Sequence, residues 1–514
     1  MNKKVKASLT VYLSLILPLL ISLTLALFYG ARIHAEKMKV EIITDISGNS
    51  ALGEYNKELL SQYGILMIDT AYNFGDPDIN NLNNRIEYYA KTNADGNDVN
   101  NIASFLLSAY NYSKLSFSKS EVTEYTLATD NDAAPLDRQI FEYMEAEPIE
   151  GLLKDKDAEI SEGKSESDAN GGETADTSVF SEVAEKYSEM QGDIDNHRKE
   201  KAESNEEDDT KGKNASDLKE DADRQQKEDA MQNMADGDEE SNGFTVLSLV
   251  MDTSKVSKES FDAGEVYTGR DDIKTGTGLN ESNHVNIGEQ LLFNEYIFEK
   301  FGYYGNEKDN AKLSYEIEYL IANKTTDQKN LASIALRIFL MRFVMDCVYM
   351  LNPSTPQHKE AKAIAAGILM IIPGLGETLL PAMEKIIQLI WAFVEARNDV
   401  AILMDGGKVP MAKSESTWNT SIENALSGKS GKSETGLSYG AYLRIILTGK
   451  QALGRNKVLK RMIDVMELDI RKSGYDKFKM DGCVDCFKTT IDFKGSSGHS
   501  YTFTRYFGYE EAAG

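Results

Sequence analysis

ASLTVYLSLILPLLISLTLALFYGA, residues 7–31, contains no charged side chain. As a helix, these residues rise about 37 Å at about 1.5 Å each. That exceeds the roughly 30 Å hydrocarbon core, which about 20 apolar residues suffice to cross. The stretch reads as an uncleaved anchor running from Ala7 to Ala31, with Leu17-Pro18 inside it and Arg32 at its exit. Everything after residue 32 is then a body working beside lipid. Two alternatives stay open. A secretory signal has a shorter apolar region, about 7–15 residues, before a small-residue cleavage site; the nearest such site here, Ile33-His34-Ala35, lies beyond Arg32. The third reading is a pilin-type leader.

Lys3, Lys4 and Lys6 precede the stretch, and Arg32, Lys37 and Lys39 follow it. The positive-inside count is nearly tied. The acidity of the remaining chain tips the body outward, so the expectation is a single-pass cell-membrane protein with an extracytoplasmic body. Of 514 residues carrying a net charge of −27, residues 154–240 alone contribute −17. The balance argues against nucleic acid, whose phosphates select basic faces. Residues 151–243 are rich in Ser, Glu, Asp, Lys, Asn and Gly. Such a segment buries too little apolar surface to offset its ordering entropy, so a disordered linker is expected there.

The chain divides by this reading into a tail and anchor (1–32), an N-terminal α+β part (33–150), the linker (151–243) and a helix-rich α+β part (244–514) ending in a β-hairpin. The two folded parts read equally well as one composite domain or as two. Met38, Ile42 and Ile46 recur at helical spacing and continue the anchor as an amphipathic helix. Gly64 stops the next helix, and residues 65–68 form a short buried strand. Helices are expected near 80–91 and 98–111, a strand over 115–127, and a helix opened by Pro135. After residue 244 come a helix at EQLLFNEYIFEKF, a strand at LSYEIEYLI with Leu313, Tyr315, Ile317 and Tyr319 on one face, and a helix over 327–351. Residues 363–383, AIAAGILMIIPGLGETLLPAM, have about the length of a buried hairpin and form the one rival to the anchor as a span. Helices near 384–398, 438–448 and 454–472 precede two strands flanking KGSSGHS.

No catalytic apparatus, cofactor site or metal site is legible. The five histidines lack ligand spacing, and GKSGKS at 428–433 has Glu423 and Leu426 where a phosphate loop needs glycine. Cys483 and Cys486 form CVDC, read as lying in a turn. A local disulfide, inert thiols, and a redox or metal role remain alternatives, although zinc would require further ligands. Glu395 and Asp399 lie one helical turn apart beside an apolar face, where a carboxylate needs a partner. They are either a buried structural pair or a functional one. Trp391 and Trp418 read as core or interface anchors.

The pattern Ala7-Ser8-Leu9-Thr10-Val11, then Leu17-Pro18, then Gly30-Ala31-Arg32 resembles the TadE/TadG-like proteins of tight-adherence (Flp) pilus systems. A second resemblance covers nearly the whole chain outside the linker. It is to an uncharacterised family of bacterial membrane-anchored proteins described as TadE/TadG-like. It is carried by SLTVYLSLILPLL, EYNKELLSQYGILMID, YEIEYLI, WAFVEARNDVAILMDGGKVPMAK with Trp418 after it, YGAYLRIIL and YTFTRYFGYE. The resemblance marks Tyr315, Glu316, Glu318, Trp391, Glu395, Asp399, Gly406, Pro410, Lys413, Trp418, Tyr442 and Arg444 as motif or structural positions. It departs from cleaved pilins in one respect. Tyr12 stands where those carry glutamate, with Ala7 in the place of glycine, so an uncleaved accessory component is implied rather than a filament subunit.

The resulting expectation is a non-enzymatic, membrane-anchored envelope protein. It would contact the bilayer through its N-terminal helix and other pilus or secretion-system proteins through its body. The alternatives are an exported enzyme acting on wall polymer through carboxylates such as Glu395 and Asp399, and a membrane sensor or scaffold using the acidic linker.

Overall fold

The computed structural model describes residues 4–95, 115–146, 246–277, 287–371, 379–421, 435–452 and 454–509. The expected helix at 98–111, the whole of the expected linker, and GKSGKS fall outside these residues. The fold is mixed helix and strand, as expected. The chain separates into two units, residues 1–140 with 271–284 and 473–514, and residues 141–270 with 285–472. This redraws the expected boundaries, because the C-terminal hairpin belongs with the N-terminal part through strand pairing.

In the first unit, α1 (Lys4–Leu52) is one continuous helix that passes through Pro18 without ending. From Val11 to Tyr29 the large apolar side chains are exposed, apart from the half-buried Ile16. Among the described residues this is the one helix long and apolar enough, by length and composition, to cross a membrane; its most apolar 18-residue window has a mean hydropathy of 2.4. From Arg32 onward one face becomes buried at Glu36, Val40, Ile43, Thr44, Ser47 and Ala51. The sequence stripe Met38, Ile42, Ile46 is instead on the exposed side. The inward face uses small residues so that the helix can approach the sheet: a Cβ on Gly48 would collide with the Phe507 ring. Thr44 and Ser47 satisfy their hydroxyls on the Val40 and Ile43 carbonyls at 2.8 and 2.6 Å, which removes the cost of burying them.

α2 (Lys57–Tyr63) is capped by Asn56 and stopped by Gly64, whose φ of 72° puts it in the left-handed region. β1 (Ile68–Asp69) is shorter than the expected strand, although Ile65 and Met67 before it are buried. α3 (Ile79–Asp95) and β2 (Leu115–Leu127) follow. α4 (Asp130–Ala146) opens with three left-handed residues, Asn131 to Ala133, before its right-handed part with Pro135. β3 (Cys483–Gly495) is the central strand. It pairs antiparallel with β2 on one side, and with β1 and β4 (Ser500–Gly508) on the other. Val40, Ile43, Leu82, Ile86, Phe487, Ile491 and Phe507 share the core between helices and sheet.

The second unit is helical: α5 (Val246–Val250), α6 (Ile287–Lys300), α7 (Glu316–Ala322), α8 (Asp327–Leu351), α9 (Pro356–Ile371), α10 (Leu380–Met404), α11 (Tyr439–Ala452) and α12 (Arg455–Lys472). The expected strand at LSYEIEYLI is α7. Its apolar/charged alternation mimics a half-exposed strand, but Glu316 and Glu318 are as buried as Ile317 and Tyr319. Both glutamates bond backbone amides, so the two-residue period reflects polar core positions rather than a solvent face. The expected hairpin at 363–383 includes residues 372–378, which lie outside the described residues.

Candidate functional site

The first unit holds its most specific polar contacts where α1 leaves the apolar stretch. Glu36 is fully buried and paired with Arg32 at 3.2 Å. Its carboxylate also accepts from the Ser496 hydroxyl (3.2 Å), the Ser497 amide (3.3 Å) and hydroxyl, and the Tyr501 hydroxyl (3.0 Å). Burial opposes ionisation here, but the bonds from Ser497, Tyr501, Ser496 and Arg32 outweigh it and hold the carboxyl below its ordinary range. Gly495 admits Glu36, since a Cβ there would collide with the carboxylate. Arg32 also donates to Ser496, and Tyr29 lies 6.1 Å from the His499 ring. The KGSSGHS turn, legible only as a loop, is thus clamped to the anchor exit. Elsewhere in this unit an open cavity of about 510 Å³ is lined by Tyr72, Phe74, Asn81, Asn84 and Arg85.

The motif residues collect in the second unit as buried structural networks. Glu395 and Asp399, one turn apart on α10, are both fully buried. Lys413 bonds them at 2.5 and 2.7 Å. The Asn419 and Thr420 amides each donate to Glu395 at 2.8 Å. Arg342 on α8, also fully buried, donates to Asp399 at 2.9 Å, to Asp346 at 3.0 Å, and to the Pro410 and Met411 carbonyls. Burial pushes Asp346 up to about 8 despite Arg342, and Asp346 Oδ2 has no hydrogen-bond partner among the described residues. A proton on that oxygen balances three acids against two bases. Tyr442 donates to the Val409 carbonyl at 3.2 Å, and Gly406 makes the turn after α10 with φ 79°. Trp391 donates to Thr420 and meets Trp418 edge-on, while Trp418 stacks on Tyr349. The segment after α10 is therefore strapped across α8 and α10. Glu395 and Asp399 face this packed interface and present no carboxylate pair to a polymer in a cleft.

Glu316 and Glu318 make a second network. Glu316 accepts from the Gly302 amide, and Glu318 accepts from the Tyr304 amide at 2.9 Å and the Tyr439 hydroxyl at 2.8 Å. Burial raises both, Glu318 to about 7 and Glu316 well above its ordinary value with Asp469 adding to the effect. The Tyr315 hydroxyl accepts from Ser257, and Arg444 pairs with Glu295 over the Phe298 ring. Sequence reasoning missed Arg342, Asp346 and Glu36, as well as the Arg270–Glu467 pair, whose nitrogens and oxygens meet at 2.6 and 2.8 Å. Arg32–Glu36 and Arg342–Asp346 do stand four residues apart, a spacing the sequence shows, but the contacts that bury them, to Ser497 and Tyr501 and to Asp399, come from far along the chain.

Cys483 and Cys486 correct the expected turn and leave no bridge: both are buried within β3 and neither is in a disulfide. Residues three apart on a strand point to opposite faces and stand roughly 10 Å apart, beyond the reach of a disulfide. Among the described residues no cluster of three or more His, Cys, Asp or Glu could hold a metal ion.

Residues 222–495, more than half of the chain, match a family of unknown function (DUF5702). The chain belongs to this family. The match spans most of the helical unit together with β3, and so includes both buried networks. No curated protein and no solved structure matches the chain.

Proposed function

We propose that this member of the DUF5702 family is a non-enzymatic, membrane-anchored envelope protein that serves as an accessory or assembly component of a tight-adherence-type pilus or a related secretion apparatus. One observation carries the anchored-scaffold reading. α1 is a single helix whose first part exposes apolar side chains and whose last part forms the core of a folded unit. A helix without a hinge transmits force and orientation between bilayer and body, as a tethered scaffold requires. The clamp at Glu36 reinforces the junction. The body lies outside the cytoplasm in this reading, on the strength of its acidity, and the pilus assignment rests on the N-terminal resemblance.

Two measurements test it. A reporter fused after Gly508 should be active only outside the cytoplasm; activity solely inside overturns the orientation. Affinity capture of the full chain from mildly solubilised membranes should recover pilus or secretion-system envelope proteins. Recovery of none, alongside recovery of a known pair from the same membranes, removes the assembly role.

A further inference from the structure

Between β1 and α3 the chain turns over residues 70–78 in a conformation that must be held in place. Tyr72 and Asn73 are both left-handed, with φ of 47° and 58°. A bulky aromatic residue is strained there, and such strain persists only where surrounding contacts fix it. The buried Asp69 carboxylate accepts from the Ala71 amide at 2.9 Å. The Thr70 hydroxyl donates to the Gly482 carbonyl at 2.6 Å, and Asn81 donates to the Thr70 carbonyl at 2.8 Å. The turn holds an aromatic ring out in water: Phe74 is 95 % exposed. Phe74 lines the open cavity of about 510 Å³ together with Tyr72, Asn84 and Arg85. That volume suits a small-ligand site, in which apolar walls bury the ligand and a few polar groups orient it.

The walls select the charge of the ligand. Arg85 donates to Glu54 through Nε at 2.8 Å and through Nη2, so its charge is matched inside the wall. Tyr89 adds a bond to the same carboxylate at 2.6 Å. An anion therefore finds no unmatched positive charge among the lining residues, and the exposed Asp76 and Asp78 on the turn repel it. A cation meets the guanidinium instead. A purely apolar ligand would strip water from Asn84 and Arg85 without replacing its hydrogen bonds. A pyranose suits both halves of the cavity. Its C–H face stacks on an aromatic ring, and its hydroxyls pair with an amide that both donates and accepts and with guanidinium N–H groups. The cavity also lies away from any bilayer that α1 enters. Glu54 follows the helix end at Leu52, about 30 Å along it from Arg32.

We propose that the Tyr72–Phe74 turn and the first turns of α3 bind a neutral oligosaccharide, with Phe74 as the stacking platform and Asn84 and Arg85 as hydroxyl partners. This goes beyond the scaffold reading and does not depend on it, since the assay requires neither an orientation nor a pilus partner. The full chain is placed in nanodiscs of phosphatidylethanolamine and phosphatidylglycerol, free of glycoside detergent. Saturation-transfer NMR is recorded with two neutral trisaccharides, chitotriose and cellotriose. At least one should receive saturation from the protein. Phe74→Ala should weaken binding about ten-fold, the scale of one lost stacking contact. Asn84→Ala should weaken it several-fold, and Phe74→Trp should retain it. Both side chains are exposed, so the melting midpoint should stay unchanged in all three variants. Transfer to neither sugar overturns the proposal, as does binding that Phe74→Ala leaves intact. Binding of inorganic phosphate or tetramethylammonium that Phe74→Ala removes overturns the neutral-ligand assignment. Transfer to a capped Gly-Tyr-Gly peptide in place of the sugars would give the site to a protein partner and overturn it too.

Discussion

Glu36 and Ser497 are 461 positions apart and bonded, the Ser497 amide donating to the Glu36 carboxylate at 3.3 Å. This pair ties the C-terminal hairpin to the helix at the point where α1 leaves its apolar stretch. The first unit thereby closes through the two ends of the chain. Replacing Glu36 with Ala strands Arg32 and the donors of Ser496, Ser497 and Tyr501. Loss of charged hydrogen bonds of this kind costs about 2 kcal/mol. The expected outcome is a lower unfolding midpoint for the detergent-solubilised chain, and faster amide exchange in residues 495–501 than in β2.

Gly48 and Phe507 form a close helix–sheet approach in the first unit. Gly48→Val should destabilise by about 1–3 kcal/mol, the usual penalty for overpacking. Gly48→Val with Phe507→Ala should recover part of that loss, whereas Phe507→Ala alone should destabilise. A thermal-melting cycle on the four proteins measures the coupling.

Lys413 is the only cation bonded to Glu395 among the described contacts. Lys413→Met leaves a buried carboxylate unneutralised, which costs about 3–5 kcal/mol. Adding Glu395→Gln should restore much of it, since the amide carries no charge to bury. Urea denaturation should show this non-additivity; strictly additive losses would contradict the network.

Glu318 titrates near 7 when folded, against an ordinary 4.5, because it is buried. Its Oε2 has no hydrogen-bond partner among the described residues, as suits a protonated oxygen. The folded state therefore holds this proton through a range where the unfolded chain has lost it. Stability contributed by this group is full below 4.5 and falls as pH rises toward 7. The linkage amounts to on the order of 3 kcal/mol. Glu318→Gln should flatten that part of the stability–pH curve; an unchanged slope would assign it to other groups.

The cysteines offer a direct check on β3. Maleimide applied to the native chain should modify Cys347 ahead of Cys483 and Cys486, and dithiothreitol should not shift the melting temperature. A reductant-sensitive midpoint would mean that β3 is not extended through residues 483–486.

Several elements were legible because one local property decided them. The anchor was visible in its uncharged length, β2 in its alternation, and α8 in its span from Asp327 to Leu351. The Gly64 stop followed from the freedom of glycine at positive φ. Failures came where burial and polarity were uncoupled. LSYEIEYLI looked like a strand because two of its core positions are glutamates. Met38, Ile42 and Ile46 looked like the inward stripe of α1, yet small residues and Glu36 occupy that face. Glu395 and Asp399 were identified as needing partners, and Lys413 was flagged among the motif positions, but their pairing, and the role of Arg342, depended on contacts across the unit.

Taken alone, the order of residues determined what adjacent positions can settle among themselves: an apolar helix long enough to cross a membrane, an acidic middle segment, and the extent of most helices and strands. Folding decided which distant residues meet. It placed the C-terminal hairpin in the same sheet as β1 and β2, aimed Glu36 at Ser497, and enclosed Asp346, Asp399, Lys413 and Glu395 with Arg342. Local preferences act through torsion angles and periodic faces along a short stretch of backbone. A buried charge is tolerated only when its counter-charge arrives from elsewhere in the chain, and that arrival is a property of the packed molecule.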